Sequence, residues 1–233
     1  MISKNDRNPF EKSIHYSKEM QRKIDLSLEE LCSVFLKKCQ IKQEILNSLK
    51  TKEDILPPML SAKEQTKDWR KSQTWYQNGK QNECELYQRE WIERITGQPC
   101  PKTNVRIHLE KLLLEEKTKP LLEEDGFEWT ENFDGLQIIH NRRFYYNLKM
   151  VCDQGGAQTR SLREVYLFIK GQIAYLQKNP DPNLYFINIL DGNGSAQRSP
   201  QFDFITKDHP QVFCQDMKTF QTWFQSKKEE AND

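Results

Sequence analysis

The run LYFINIL, residues 184–190, constrains the fold of this chain more than any other stretch. It is almost continuously apolar and lies between Pro182 and Gly192. A strand with one face in water alternates apolar and polar side chains, so an apolar run of this length is typical of a strand covered on both faces. We therefore expect this strand in the interior of a sheet, with helices on both sides.

The residues before this run predict the neighbouring elements. An alternating segment from Phe127 to Phe133 indicates a strand. Residues 136–139 and 144–151 flank a polar stretch and predict a β-hairpin. A helix capped by Ser161 is expected to follow and to end before Asn179.

The residues after the run predict the closing elements. The segment 192–200 has the composition of a long polar loop, 212–214 indicates a last short strand, and a final amphipathic helix surrounds 220–224. The predicted fold class is α/β (α+β), with a mixed central sheet flanked by helices in residues 101–233.

Residues 1–100 are predicted to form a helical N-terminal region. Helical spacing begins at Ser27 and ends at Pro57-Pro58. The break GQPCP, residues 97–101, is the predicted boundary with the core. Within the core, a further helix is expected from Asn104 to Pro120.

Composition narrows the classes of function. The formal net charge is +1, so a nucleic-acid site would rest on local groups of Lys and Arg. The six cysteines are scattered without a CxxC pair, which argues against structural zinc and for reduced thiols. The sequence shows no signal peptide and no run near the roughly 20 apolar residues of a membrane span. We expect a cytoplasmic protein without a membrane partner.

Basic and aromatic residues interleave between Ser61 and Glu93. This mixture suits a surface that contacts phosphates and stacks on bases, and Arg70 and Lys71 would then bind DNA. The same pattern is typical of an amphipathic helix whose rings are buried and whose charges face water. Both interpretations remain open at this point.

One acid and one lysine stand where the hairpin would bring them together. Asp134 ends a strand, and Gly135 permits a sharp change of direction. Asn147 and Lys149 are two residues apart on a later strand and project from the same face. Mg²⁺ takes oxygen ligands, and a nearby lysine can orient an attacking water and stabilise charge on a phosphate. An ordinary turn at Asp134 and a solvated Lys149 are the alternatives.

The order of these groups resembles the PD-(D/E)xK nuclease superfamily: an acid, a hairpin, x-x-K on a strand, then a helix with Gln and Arg. With the block GGAQTRSLREVY, residues 155–166, the chain is similar in particular to type II restriction endonucleases. The resemblance covers about residues 103–227. It implies a restriction-endonuclease-like core in which Asp134 is the principal metal ligand and Lys149 assists the nucleophilic water.

The chain departs from the family pattern at the second acidic position, which is Asn147. Its carbonyl would bind the ion or orient a metal-bound water, and the neutral oxygen would hold the ion less tightly than a carboxylate. The resemblance therefore implies an extra carboxylate, with Glu110 on the predicted helix as the first candidate. Glu131 is the other, although it points to the opposite face of its strand from Asp134.

The start of the helix after Gly155-Gly156 predicts a phosphate site, because backbone N–H groups there attract anions. The side chains assigned to this site are Gln158, Thr159, Arg160 and Arg163. In the alternative interpretation they cap the helix and pair with Glu164.

Together these expectations describe an Mg²⁺-dependent endonuclease that cuts double-stranded DNA at a short specific sequence. The helical region of residues 1–100 would serve DNA recognition, dimerisation or both, and a palindromic target would imply a homodimer. A structure-specific repair or recombination nuclease is one alternative. A non-catalytic nucleic-acid-binding protein with a decayed nuclease site is the other.

Overall fold

The computed structural model describes residues 59–73, 75–76, 81–116, 130–153 and 155–229. The described helices are α1 (Lys67–Ser72), α2 (Gln81–Thr96), α3 (Gly156–Lys178), α4 (Asn193–Ala196), α5 (Ser199–Thr206) and α6 (Met217–Glu229). The described strands are β1 (Val105–His108), β2 (Leu113–Glu116), β3 (Thr130–Asn132), β4 (Gly135–Ile139), β5 (Arg142–Met150), β6 (Leu184–Asp191) and β7 (Val212–Gln215). The helix predicted from Ser27 lies outside the described residues, and the strand predicted from Phe127 is described only from Thr130.

Four strands form a mixed sheet in the order β4-β5-β6-β7. β4 and β5 are antiparallel, whereas β5 pairs in parallel with β6 and β6 in parallel with β7. Parallel neighbours need a crossover connection, and α3 supplies it between β5 and β6. The predicted mixed α/β fold, with a mixed sheet and flanking helices, is confirmed at this level.

The hairpin between β4 and β5 turns on His140 and Asn141, which have φ values of 47° and 63°. Two successive left-handed residues are the geometry of a tight hairpin turn whose twist matches that of the strands. The turn is therefore two residues shorter than the polar stretch 140–143 indicates, because Arg142 and Arg143 already belong to β5.

Both faces of the mixed sheet are covered, as the LYFINIL run predicts. β6 is buried along its whole length. Phe186 lies in an apolar cluster with Phe168 of α3 on one face. Ile187 lies in a second cluster with Ile92 of α2 and Phe220 of α6 on the other. Each such side chain contributes roughly 1.5–3 kcal/mol by leaving water, so the sheet interior is the main source of stability.

The helix predicted from Asn104 to Pro120 is wrong over its described part, where β1 and β2 form an antiparallel hairpin. β1 also pairs with β3, which gives a second sheet in the order β2-β1-β3. Arg106 is buried, and its Nη2 lies 3.0 Å from Oε1 of Glu115, its partner across the hairpin. Leucines spaced by three and four predict a helix here. The Arg106–Glu115 pair, which supports the hairpin instead, joins residues nine positions apart and leaves no periodic signal in the sequence.

Two boundaries also differ from the prediction. α3 begins at Gly156, with Gly155 as its N-cap, and Ser161 lies inside the helix. The loop predicted at 192–200 contains α4 and the start of α5. Pro200 is in the first turn of α5, where its missing N–H would have no helical partner in any case. Polar composition alone therefore misrepresents this segment as a loop.

Candidate functional site

Asp134 lies where the chain passes from β3 in one sheet to β4 in the other. Its backbone N–H donates to the carbonyl of Tyr146 at 2.7 Å. Its carboxylate Oδ2 accepts from the backbone N–H of Leu148, also at 2.7 Å. These two bonds fix Asp134 beside the part of β5 that carries Asn147 and Lys149.

The electrostatic surroundings of Asp134 link it to Lys149. Burial raises the pKa of the Asp134 carboxyl, because the charged form loses its hydration. The positive charge of Lys149 is the largest opposing influence on that pKa, ahead of the Leu148 N–H bond. Lys149 itself is half-buried. The acid and the lysine singled out from the sequence are thus electrostatic neighbours.

A second carboxylate, not singled out from the sequence, comes from α2. Burial raises the pKa of Glu85, and the charge of Asp134 raises it further, while nearby cations lower it. The Nζ of Lys102 lies 4.0 Å from Glu85 Oε2, and the Glu85 side chain is only 15% exposed. The cations acting on both carboxylates are Lys149, Lys102 and Arg89. We call Glu85, Asp134, Lys149, Lys102 and Arg89 the acid–lysine cluster.

The sequence carries a weak signal for Glu85. Glu85, Gln88 and Ile92 are three and four residues apart, so they share one face of α2. Ile92 is fully buried against the sheet, so this face points inward. Acidic and amide groups on the buried face of a helix are unusual and indicate a polar site. The basic and aromatic residues around them obscure this pattern.

Gln88 ties α2 to the ends of two strands. Its Nε2 donates to the Lys149 carbonyl at 3.2 Å and to Asp191 Oδ2 at 2.8 Å. Asp191 is fully buried at the end of β6 and also accepts from the Met217 N–H at 3.2 Å. Burial raises the pKa of Asp191 to about 7. Through Gln88, the helix that carries Glu85 is held in register with the strand that carries Lys149.

Asn147 belongs to a buried network of three amides. Its Nδ2 donates to Asn188 Oδ1 at 3.1 Å. Asn188 exchanges hydrogen bonds of 3.0 and 2.8 Å with Gln172 of α3 and donates to the Phe213 carbonyl at 3.1 Å. Asn147 is 3% exposed, and the other two amides are fully buried. The Asn147 side chain thus links β5 to β6 and, through Asn188, to α3.

Glu110, the other predicted metal ligand, does not belong to the acid–lysine cluster. Glu110 is in the exposed turn between β1 and β2 instead of on a helix. The position follows from the hairpin that replaces the predicted helix. Glu85 on α2 is the helical carboxylate whose pKa the charge of Asp134 raises.

The predicted phosphate-binding residues occupy the first turns of α3 and form a different surface. Gly155 caps the helix without a side-chain hydrogen bond, and Gln158 folds back over it. Arg160 is exposed. Thr159 and Arg163 line a groove whose other wall is α5. The charges that act on Asp134 come instead from β5, α2 and the connection after α2.

The aromatic residues between Ser61 and Glu93 mostly serve packing. Trp75 and Tyr87 are buried, and their stacked rings have centroids 4.4 Å apart. They lie in one apolar cluster with Met150 of β5. Arg70 places its guanidinium 4.9 Å above the ring of Tyr76, and Lys71 is exposed on α1. The buried-ring interpretation therefore holds for Trp75 and Tyr87.

The acid–lysine cluster brings two carboxylates, Asp134 and Glu85, within electrostatic range of each other. Within the described ranges, no three His, Cys, Asp or Glu side chains come together as a metal site. Mg²⁺ commonly keeps several waters and binds through one or two carboxylates together with substrate phosphates. Asp134 raises the pKa of Glu85, so the two carboxylates repel each other in a partly buried place. A divalent cation between them would relieve that repulsion.

Comparison of the chain with protein-family models, with curated proteins and with solved structures gives no match. The functional assignment therefore rests on the residues and their arrangement. None of the described helices combines the length and apolar character needed to cross a membrane.

Proposed function

We propose that this protein is a metal-dependent endonuclease that hydrolyses phosphodiester bonds in double-stranded DNA, in the manner of type II restriction enzymes. The observation that carries the proposal is the acid–lysine cluster. It combines two carboxylates, Asp134 and Glu85, with Lys149 on the second strand of a hairpin. The order β4-β5-α3-β6 supports the proposal, because the resemblance to PD-(D/E)xK nucleases implies a hairpin followed by a helix.

Asp134 and Glu85 would hold Mg²⁺, with Glu85 in the role first expected of Glu110. When bound, the ion supplies positive charge that stabilises the attacked phosphate and acidifies a bound water. The Leu148 N–H fixes the orientation of the Asp134 carboxylate by engaging Oδ2. This ligand is therefore set before substrate arrives, which reduces the reorganisation needed during reaction.

Lys149 would orient the attacking water and donate to the negative charge that develops on the phosphate. The water oxygen would bond to phosphorus as it loses a proton to solvent, and the bond from phosphorus to the leaving sugar oxygen would break as that oxygen takes up a proton from solvent. Gln88 holds the Lys149 backbone through its carbonyl. Arg89 and Lys102 balance the remaining negative charge of the two carboxylates.

Asn147 would act as a positioning residue and not as a primary ligand. Its bond to Asn188 joins β5 to β6, and Asn188 in turn is bound to α3 through Gln172. This network keeps the strand that carries Lys149 in a fixed place relative to the crossover helix.

Digestion of a large, fully sequenced DNA with Mg²⁺ or Mn²⁺ tests the proposal. We expect discrete fragments from the wild type and a rate at least about 100-fold lower for Lys149→Ala. Lys170→Ala removes an exposed lysine from α3 and should cut like the wild type. An inactive wild type with both metals, or equal cutting by Lys149→Ala, would contradict the mechanism.

Two carboxylate variants identify the second ligand. Glu85→Gln should reduce cleavage strongly and raise the Mg²⁺ concentration needed for half-maximal rate, whereas Glu110→Gln should do neither. The opposite result would return the role to Glu110.

Cutting only at branched or damaged DNA, without discrete fragments from a plasmid, would favour a structure-specific nuclease. If discrete fragments end in palindromes, we expect a homodimer in solution.

A non-catalytic DNA-binding protein is the second candidate. It is favoured by one observation: an amide, Asn147, stands at the second acidic position and is committed to buried bonds. In that case the wild type would bind DNA without cutting it, and Lys149→Ala would change only the affinity.

A further inference from the structure

A groove of about 540 Å³ lies between the first half of α3 and the segment that contains α5. On α3 it is lined by residues spaced three or four apart, which therefore share one face: Thr159, Leu162, Arg163 and Tyr166. On the other wall it is lined by Arg198, Pro200, Gln201, Phe202 and Phe204. Its volume lies in the range of small-molecule sites, roughly 300–1,000 Å³.

The floor of this α3–α5 groove is apolar and its rim carries an exposed ring. Leu162 and Phe202 are buried, and the rings of Tyr166 and Phe202 have centroids 6.2 Å apart. Phe204, in contrast, is 70% exposed. An exposed aromatic ring at the mouth of an apolar pocket indicates a surface that a ligand covers.

The rim is also positively charged. Arg163 and Arg198 are exposed lining residues. Lys207 lies beside them, with its Nζ 4.8 Å from the centre of the Phe204 ring and 3.9 Å from Oδ2 of Asp208. Among the described residues that line the groove, none is acidic. Because the whole chain has a formal net charge of only +1, this concentration of cations is a local feature. The groove is therefore suited to a ligand that has both an anionic group and a flat ring.

We propose that the α3–α5 groove binds an unpaired nucleotide of a DNA strand. The base would stack on Phe204 and Tyr166, and the phosphate would be bound by Arg163 and Arg198. Stacking on aromatic side chains tolerates any base, and guanidinium groups bind phosphate oxygens in pairs. Free phosphate would leave the rings unused, and a neutral apolar ligand would leave the arginines unused. The inference rests on the proposed function only in taking DNA as the substrate.

Binding is measured with the full-length protein in EDTA, so that no cleavage occurs. The probe is a fluorescein-labelled 12-nucleotide single strand followed by fluorescence anisotropy, and the comparison ligand is the same sequence as a duplex. We expect Phe204→Ala to weaken single-strand binding by about tenfold and duplex binding by less than about twofold.

Substitution of the arginines should change the salt dependence of binding as well as the affinity. The double variant Arg163→Ala/Arg198→Ala should weaken single-strand binding by about tenfold or more and flatten its salt dependence by roughly one phosphate contact. Phe204→Ala should leave the salt dependence unchanged, because a stacked ring displaces no counterion. Ile138→Ala on β4 and Lys218→Ala on α6 are matched controls at exposed positions that do not line the groove, and Ile138 is 45% exposed. Both should bind within about twofold of the wild type.

Wild-type single-strand affinity in Phe204→Ala would overturn the inference. So would equal losses on single strand and duplex, or competition by an acidic aromatic peptide as strong as by the oligonucleotide. Thermal melting of each variant within about 2 °C of the wild type shows that the fold is intact. A protein that cuts DNA but fails this test would refute only the nucleotide site. A protein that passes it without cutting would refute only the nuclease.

Discussion

The acid–lysine cluster and the α3–α5 groove differ in how the fold holds their polar groups. Asp134 is bound by a backbone N–H of β5, and Glu85 is 15% exposed on a helix packed against the sheet. In the groove, Arg163 is exposed on α3 and Arg198 is exposed at the N-cap of α5. In the cluster, the bonds that position the reactive groups are also bonds of the core. In the groove, the ligand-binding groups are separate from the packing beneath them.

The largest expected effect is at Asp134, where two substitutions separate the proposed metal-binding charge of the carboxylate from its hydrogen bond with the Leu148 N–H. Asp134→Ala and Asp134→Asn should both reduce cleavage by at least about 100-fold, because both remove the charged ligand. Only Asp134→Ala leaves the Leu148 N–H unpaired, so it should also lower the free energy of unfolding by about 1–3 kcal/mol. Cleavage assays with urea unfolding measure both quantities. Equal stabilities of the two variants would show that this hydrogen bond does not matter.

The next effect tests the amide network behind the cluster. Asn188→Ala leaves Asn147, Gln172 and the Phe213 carbonyl without a buried partner. We expect the free energy of unfolding to fall by about 3–4 kcal/mol, with a loss of cleavage that follows the disturbance of β5. Asn183→Ala, at an exposed turn, is the control and should stay within about 0.5 kcal/mol. A small loss at Asn188 would contradict the positioning role of the network.

A pH effect follows from Asp191. Its pKa is raised from 3.8 to about 7 in the folded chain, so between those values the folded state binds a proton that the unfolded state lacks. Stability from this group is therefore present at low pH and is lost as pH rises through about 7. The decrease from pH 5 to pH 8 should be about 2–3 kcal/mol in urea unfolding. Asp191→Asn should flatten this slope, and an unchanged slope would place the titration elsewhere.

The smallest expected effect belongs to the groove. Phe204→Ala should change the free energy of unfolding by less than about 0.5 kcal/mol, because the ring is 70% exposed. Phe202→Ala, two residues away and 3% exposed, should destabilise by about 3–5 kcal/mol. Comparison of the two variants shows whether the exposed ring of Phe204 contributes to the stability of the fold. A large loss at Phe204 would mean that binding and packing are joined there as well.

The elements that could be predicted from the sequence are those that local pattern determines. The 184–190 run is apolar because both faces of β6 are covered, and this strand was placed correctly. The β4–β5 hairpin and the body of α3 follow from short-range turn and periodicity signals. Asp134 and Lys149 come together because the hairpin register, with Gly135 opposite Tyr146, is set by a tight turn.

What could not be predicted depends on contacts between distant residues. The β1–β2 hairpin is supported by the Arg106–Glu115 pair, whereas the leucine spacing indicated a helix. Glu85 joins Asp134 only because α2 packs on β5, which no spacing within the sequence reveals. The choice of Glu110 depends on the helix expected to carry it. Tertiary packing, and not the chemistry of the residue, brings Glu85 within electrostatic range of Asp134.

The Gln88 side chain has a consequence for the order of folding. Its bonds to Lys149 and Asp191 join residues 61 and 103 positions apart along the chain. Contacts between such distant positions close long loops and form slowly, whereas a hairpin and a helix form early. A chain that has formed β4, β5 and α3 but has not yet docked α2 therefore holds Asp134 and Lys149 without Glu85. If α2 docks late, the second carboxylate joins Asp134 only with these long-range contacts, so the acid–lysine cluster is complete only in the fully folded chain.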